Sequence, residues 1–158
     1  MVDIATVRLI INIVTLFVGC ALAFILHEYG HVFAARMHGM RAEAKLRAYR
    51  RFDAQDARRI LRKKMYISVV EIGGKTTPER EGRIASAGIA INLLQAAIAL
   101  PWGSYLPSLR AIFALNLGLA LINLIPFSMS DGKRTYDWSK PVWGLLLLLD
   151  ILFWLVFF

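Results

Sequence analysis

Cysteine is nearly absent from this chain. The one residue in 158, Cys20, excludes an intrachain disulfide. Acidic residues are scarce as well, with 11 Asp and Glu against 19 Lys and Arg and a formal net charge of +8. No internal repeat and no low-complexity linker interrupts the sequence, so 1–158 reads as a single domain. A cleavable leader is also not expected. Its short apolar core would end at a small-residue site, whereas the first apolar run here continues into two histidines and a glutamate. That first segment is expected to stay in the mature protein.

What the chain has in excess is apolar residues. They make up 58% of the sequence, above the roughly 45–50% of soluble domains, and they are gathered into long runs. Four runs meet the requirement of about 20 apolar residues per membrane crossing: Leu9 to Ala35, Ile84 to Trp102, Leu109 to Phe127 and Val142 to Phe158. The expected fold is therefore a membrane all-α protein, a polytopic bundle of about four transmembrane helices. Between the second and third runs, Pro101 to Pro107 reads as a tight turn whose Trp102 and Tyr105 suit a membrane interface.

The basic residues set an expected orientation. Fourteen Lys and Arg fall in the connection from Arg36 to Arg83 and three in that from Asp131 to Lys140, leaving only Arg8 and Arg110 on the opposite side. The positive-inside rule places both basic connections in the cytoplasm and both termini outside it. Topology thus explains the basic charge, and nucleic acid is not an expected partner. Within the first connection, Phe52 to Lys64 carries Arg58, Arg59, Arg62, Lys63 and Lys64 around Ile60 and Leu61, the pattern of a helix lying on anionic lipid headgroups. Met65 to Ile72, rich in β-branched residues and followed by Gly73-Gly74, reads as a short cytoplasmic strand or hairpin whose edge could pair with an extended peptide.

Chemistry concentrates where the first run ends, at His27-Glu28-Tyr29-Gly30-His31. On a helix, His27 and His31 lie one turn apart on one face and can reach one Zn²⁺, with Glu28 placed to act on a metal-bound water. Read without a metal, the two rings cap a helix at the water interface, which leaves Glu28 without a reason. A catalytic zinc has three protein ligands plus water. Asp131, in Asn123-Leu124-Ile125-Pro126-Phe127-Ser128-Met129-Ser130-Asp131-Gly132, ends the third run on the same side as the histidines. The proline ends that helix, and Gly132 permits a turn that sends the aspartate back into the bundle. Taken alone, Asp131-Gly132 is also a good ordinary turn.

These motifs resemble those of the site-2 protease family of intramembrane zinc metalloproteases. His27, Glu28, Gly30, His31, Ala35 and Gly39 match its HExGH motif and the small residue and glycine that follow, and Asn123, Pro126, Asp131 and Gly132 match N-x-x-P-x-x-x-x-D-G. Ala87-Gly88-Ile89-Ala90-Ile91-Asn92 is similar to A-G-P-x-x-N, with Ile89 in place of proline. The likeness covers the three-helix core, Leu9 to Gly132. It departs at Met129 and Ser130, where proline and leucine are frequent, and no stretch is long enough for a PDZ domain. The resemblance implies a minimal zinc endopeptidase that cuts a membrane-anchored protein within or near the bilayer, towards the cytoplasmic side. His27, His31 and Asp131 would hold Zn²⁺ and Glu28 would move the proton. Asn123 and Asn92 would contact substrate, with a helix-to-helix hydrogen bond as the other reading of Asn92. The competing class is a non-enzymatic scaffold or substrate-binding pseudoprotease of the same fold; a zinc protease of another family would take a glutamate as third ligand. Three residues remain outside the motif. Asp150 in the last run implies an internal partner, His38 suits an interface, and Cys20 lies about 10 Å along the helix from His27 and reads as packing.

Overall fold

Proline is missing from the chain before Pro78, so nothing breaks the first apolar run. In the computed structural model it forms one helix, α1, Ile4–Met37, about 51 Å long at 1.5 Å per residue. The structure describes residues 3–45, 69–73, 76–127 and 130–157. The expected basic helix at Phe52 to Lys64 lies outside them. Asp3 caps α1 by accepting from the Thr6 N–H at 2.7 Å. At its other end Gly39 has φ +72°, and the bonds Gly39 N–H to Arg36 O and Met40 N–H to Ala35 O close the helix in a Schellman motif. His38 is the C-cap.

Strand β1, Arg41–Lys45, follows at once and pairs antiparallel with β2, Val69–Gly73, Glu43 standing opposite Glu71. The strand expected from Met65 begins at Val69 among the described residues. Helix α2, Pro78–Ala99, starts at the Thr77 cap with Pro78 in its first turn and runs into a 3₁₀ turn, Leu100–Trp102. Helix α3, Pro107–Leu124, begins at a proline and stops just before Pro126. Helix α4, Asp131–Trp138, is a short polar element absent from the sequence expectation. Helix α5, Lys140–Phe157, completes the described chain.

Among the described residues, four helices are long and apolar enough to cross a membrane: α1, α2 with its 3₁₀ extension, α3 and α5. Their most apolar stretches are buried to 44% in α2 and 39% in α3, but only 6% in α1 and 11% in α5. The centre of the bundle is therefore α2 against α3. Ile89, Leu93 and Ala96 meet Phe113, Leu117 and Ala120 there, with Leu146 of α5 closing the cluster. Asp150, on the same inward face of α5, is fully buried. The outer helices present large apolar side chains outward, Phe17 at 78% and Leu155 at 70% exposure, far more than a water-facing surface tolerates as one patch.

Close helix crossings are made at glycines. A Cβ on Gly19 would fall 2.1 Å from Ile112 Cδ1, and one on Gly30 would fall 2.9 Å from Ile91 Cγ1 and 3.1 Å from the Ala87 carbonyl oxygen. At one end of the bundle the Ser108 N–H donates to Asn12 Oδ1 at 3.1 Å and Arg110 lies over the Phe157 ring at 4.8 Å. Both described termini thus stand at the same end. At the other end the Trp143 indole N–H donates to Leu124 O at 2.8 Å, and His27, His31 and Asp131 gather. Gly30→Ala should lower the thermal midpoint, equivalent to about 1–3 kcal/mol of overpacking. Adding Ile91→Ala should recover part of that loss, as a double-mutant cycle on the unfolding midpoints would show.

Candidate metal centre

The helical period brings His27 and His31 onto the face of α1 that packs on α2, where both are buried, at 7% and 8% exposure. Their Nε2 atoms lie 3.1 Å apart. Asp131 comes to them from the far end of the chain: its Oδ2 is 3.3 Å from His27 Nε2 and 3.1 Å from His31 Nε2. Among the described residues these three form a group able to hold a metal ion.

Each ring's other nitrogen is committed. His31 Nδ1 lies 2.8 Å from the Ile84 carbonyl oxygen. A main-chain carbonyl only accepts, so Nδ1 carries the proton and the Nε2 of a neutral ring carries a lone pair. His27 Nδ1 lies 3.0 Å from Asn92 Oδ1, which fixes the same tautomer. Such contacts behind a histidine orient the ring and raise its basicity towards a cation. The centre therefore offers two imidazole lone pairs and a carboxylate oxygen within about one ligand spacing. Burial works to raise the Asp131 carboxyl, but a proton shared from His27 or His31 Nε2, with the positive charge it gives the ring, outweighs burial and lowers the group from the ordinary carboxylate range.

Space for the rings comes from Gly88 of α2, where a Cβ would fall 2.4 Å from His31 Cε1, 2.5 Å from its Nε2 and 2.9 Å from His27 Cε1. Any side chain there would occupy the centre. Asp131 is placed by α4. Ser130 is its N-cap, accepting from the Lys133 N–H at 3.1 Å and donating to Ile125 O at 2.7 Å. The Thr135 hydroxyl donates to Asp131 O at 2.8 Å. The expectation that Gly132 makes a sharp turn after the aspartate is corrected here: Asp131 and Gly132 are the first residues of a helix. Gly132 is required for a different reason, since its Cβ would fall 2.3 Å from Leu124 O and 2.6 Å from Asn123 O. Its absence lets α4 sit against the end of α3 and aim Asp131 inward.

The other expected residues fall as follows. Glu28 is half-buried and close enough to His31 for its charge to act there. Asn92 is fully buried, its Oδ1 on His27 and its Nδ2 without a hydrogen-bond partner among the described residues. The contact is a helix-to-helix hydrogen bond, made to the His27 ring. Asn123 stands half-buried in the last turn of α3, its carbonyl beneath Gly132. Three contributors escaped sequence reasoning: the Ile84 carbonyl, Ser130, and Arg134, whose Nη1 lies 3.9 Å from Asp131 Oδ1. Only Ser130 carried a signal, as a serine directly before an acidic first turn.

No family model, curated protein or solved structure matches the chain, so the reading of this centre rests on its own geometry. Asn92→Leu removes the acceptor behind His27 and should weaken Zn²⁺ binding about 10- to 100-fold, measured by calorimetric titration. Gly88→Ala should weaken it at least as much while leaving helical content unchanged by circular dichroism.

Proposed function

We propose that the chain is a multi-pass membrane protein of the site-2 protease type, a zinc endopeptidase that hydrolyses a peptide bond of a membrane-anchored protein within or near the bilayer. The observation that carries this reading is the meeting of an HExxH pair with Asp131 at one buried point. A tetrahedral zinc with bonds of about 2.05 Å keeps its ligand atoms about 3.3 Å apart. The three separations here, 3.1, 3.3 and 3.1 Å, support that fit. A proton satisfies two of these atoms at a time, whereas a divalent ion satisfies all three. His27, His31 and Asp131 would hold Zn²⁺, with Asp131 filling the place that another zinc-protease class would give to glutamate.

When bound, the ion supplies Lewis acidity towards a water and a scissile carbonyl. Glu28, beside His27 on the same helix, would accept a proton from the attacking water and return it to the leaving amine. Asn92 keeps His27 in the tautomer that faces the centre, and Arg134 bears on the outer carboxylate oxygen of Asp131. Depth supports chemistry inside a bilayer. His27 lies fifteen residues, about 22 Å, along α1 from Asn12, which marks the start of α3, within the roughly 30 Å of a hydrocarbon core. At that depth a substrate helix hides its amides in its own hydrogen bonds, so cleavage needs local unwinding and favours substrates with helix-weakening residues near the cut. Asn123, half-buried at the end of α3 next to α4, would contact the exposed backbone. The β1–β2 pair offers an edge to an extended segment. By its charge the basic connection after α1 would belong on the cytoplasmic side, with both termini on the other.

The competing reading is a non-catalytic scaffold that keeps the fold; the half-buried Glu28 beside the ligand pair favours the enzyme. Purified wild type should contain one equivalent of zinc and cleave a model single-span substrate. Glu28→Gln should keep the zinc and lose about 10²–10⁴-fold in rate, the range of general acid-base catalysis. Zinc in both proteins with no cleavage across a panel of membrane substrates would establish the scaffold instead. Asp131→Ala should lose the zinc; retention would point to a glutamate ligand and another protease class.

A further inference from the structure

The Asp131 carboxylate turns its two oxygens to different partners. Oδ2 is the oxygen that meets both rings, 3.3 Å from His27 Nε2 and 3.1 Å from His31 Nε2, whereas Oδ1 faces Arg134, whose Nη1 stands 3.9 Å away. Helix α4 sets this up. Three residues on from Asp131, Arg134 falls on the same face of the helix. Its main-chain N–H donates to Ser130 O at 3.3 Å, so the capping residue that places the carboxylate also places the cation. The neighbouring cations are engaged elsewhere: Lys133 pairs with Asp137, and Lys140 lies over the Tyr136 ring at 5.3 Å. A guanidinium is always charged, and so close to a cation site it repels the ion. Affinity for the ion therefore does not account for its place.

We infer that Arg134 is a positioning residue that keeps Asp131 a one-oxygen ligand, drawing Oδ1 aside so that the fourth place at the centre stays open to water. The inference rests on the zinc protease reading above. A catalytic zinc takes three protein ligands and a water. A carboxylate that gave both oxygens would fill the place of the water with the same three residues. The histidines have no say in this, because each offers a single nitrogen and its Nδ1 is already committed, to Asn92 Oδ1 or to the Ile84 carbonyl. The choice between one oxygen and two lies with whatever attracts Oδ1, and among the described residues Arg134 is the cation that does so. At 3.9 Å the contact is an ion pair beyond hydrogen-bond length. Charge carries it, rather than the planar fork that distinguishes arginine from lysine.

The test uses the metal alone as probe: X-ray absorption of the zinc-loaded protein, and the visible spectrum of the Co²⁺-loaded protein, whose bands weaken when a fifth ligand enters. Wild type should show four ligands. Arg134→Leu should show five, as the second oxygen of Asp131 joins the shell, with zinc affinity by calorimetric titration equal or higher. That last result separates the role from a merely structural one, since losing a group that supports a ligand lowers metal affinity about 10- to 100-fold. Arg134→Lys keeps a charge beside Oδ1 and should return the shell to four. The Arg134 side chain is 39% exposed, so both changes leave the packed core untouched. Four ligands in Arg134→Leu, a fall in its zinc affinity, or five ligands in Arg134→Lys would overturn the inference. Cleavage of a model single-span substrate by wild type is read separately. Cleavage with an unchanged shell in Arg134→Leu removes the role of Arg134 and keeps the protease, whereas a shell that goes from four to five without cleavage by wild type keeps the role and removes the protease. A wild type that binds no zinc removes both.

Discussion

Three atoms that all carry lone pairs, two imidazole nitrogens and a carboxylate oxygen, cannot rest 3.1 to 3.3 Å apart in a buried site unless positive charge stands among them. The arrangement of α1, α2 and α4 follows from that constraint. The Ile84 carbonyl and Asn92 turn the two rings so that their lone pairs converge, and α4 exists as a capped helix whose first residue delivers the carboxylate. The first two contacts come from α2 and the third from α4. The centre therefore ties the first helix to the end of the third and stitches the sequence together across about a hundred residues.

The second requirement is room. Side chains as large as two histidines fit between packed helices only where the facing backbone carries nothing, and glycines stand at those points. Gly30 lets α1 meet α2, Gly88 clears the rings, and Gly132 lets α4 lie on the last carbonyls of α3. The same economy of bulk on α2, with Ala85, Ala96 and Ala99 buried beside them, brings its backbone close to both neighbours. What these residues share is steric rather than conformational: of the glycines in the described chain, only Gly39 has positive φ.

The long helices were legible in the sequence because an apolar run of that length has few other ways to satisfy its backbone. Their ends were less so. Helix α1 begins at Ile4 rather than Leu9 because Asp3 caps it, and Arg8 in its second turn disguises the start of the run. Helix α4 was invisible to a search for apolar runs, since Asp131 to Trp138 is mostly polar and only Ser130 announces it. Strand β1 was missed for a similar reason: Arg41, Glu43 and Lys45 alternate with alanine and offer no β-branched signal. At the centre, helical spacing sufficed to pair His27 with His31. That Asp131 would reach them rested on motif order and side, and the choice for Asn92 between substrate and ligand ring depended on how α1 and α2 are rotated against each other, which no local pattern encodes.

The central claim is that His27, His31 and Asp131 together ligate one zinc ion. X-ray absorption at the zinc edge, taken on the purified protein in detergent, reads the ligand atoms directly. The account predicts two imidazole nitrogens and one or two oxygens at about 2.0–2.1 Å, with no sulfur in the shell. A sulfur at about 2.3 Å, which only Cys20 or a methionine could supply, or a shell with a single imidazole, would contradict it.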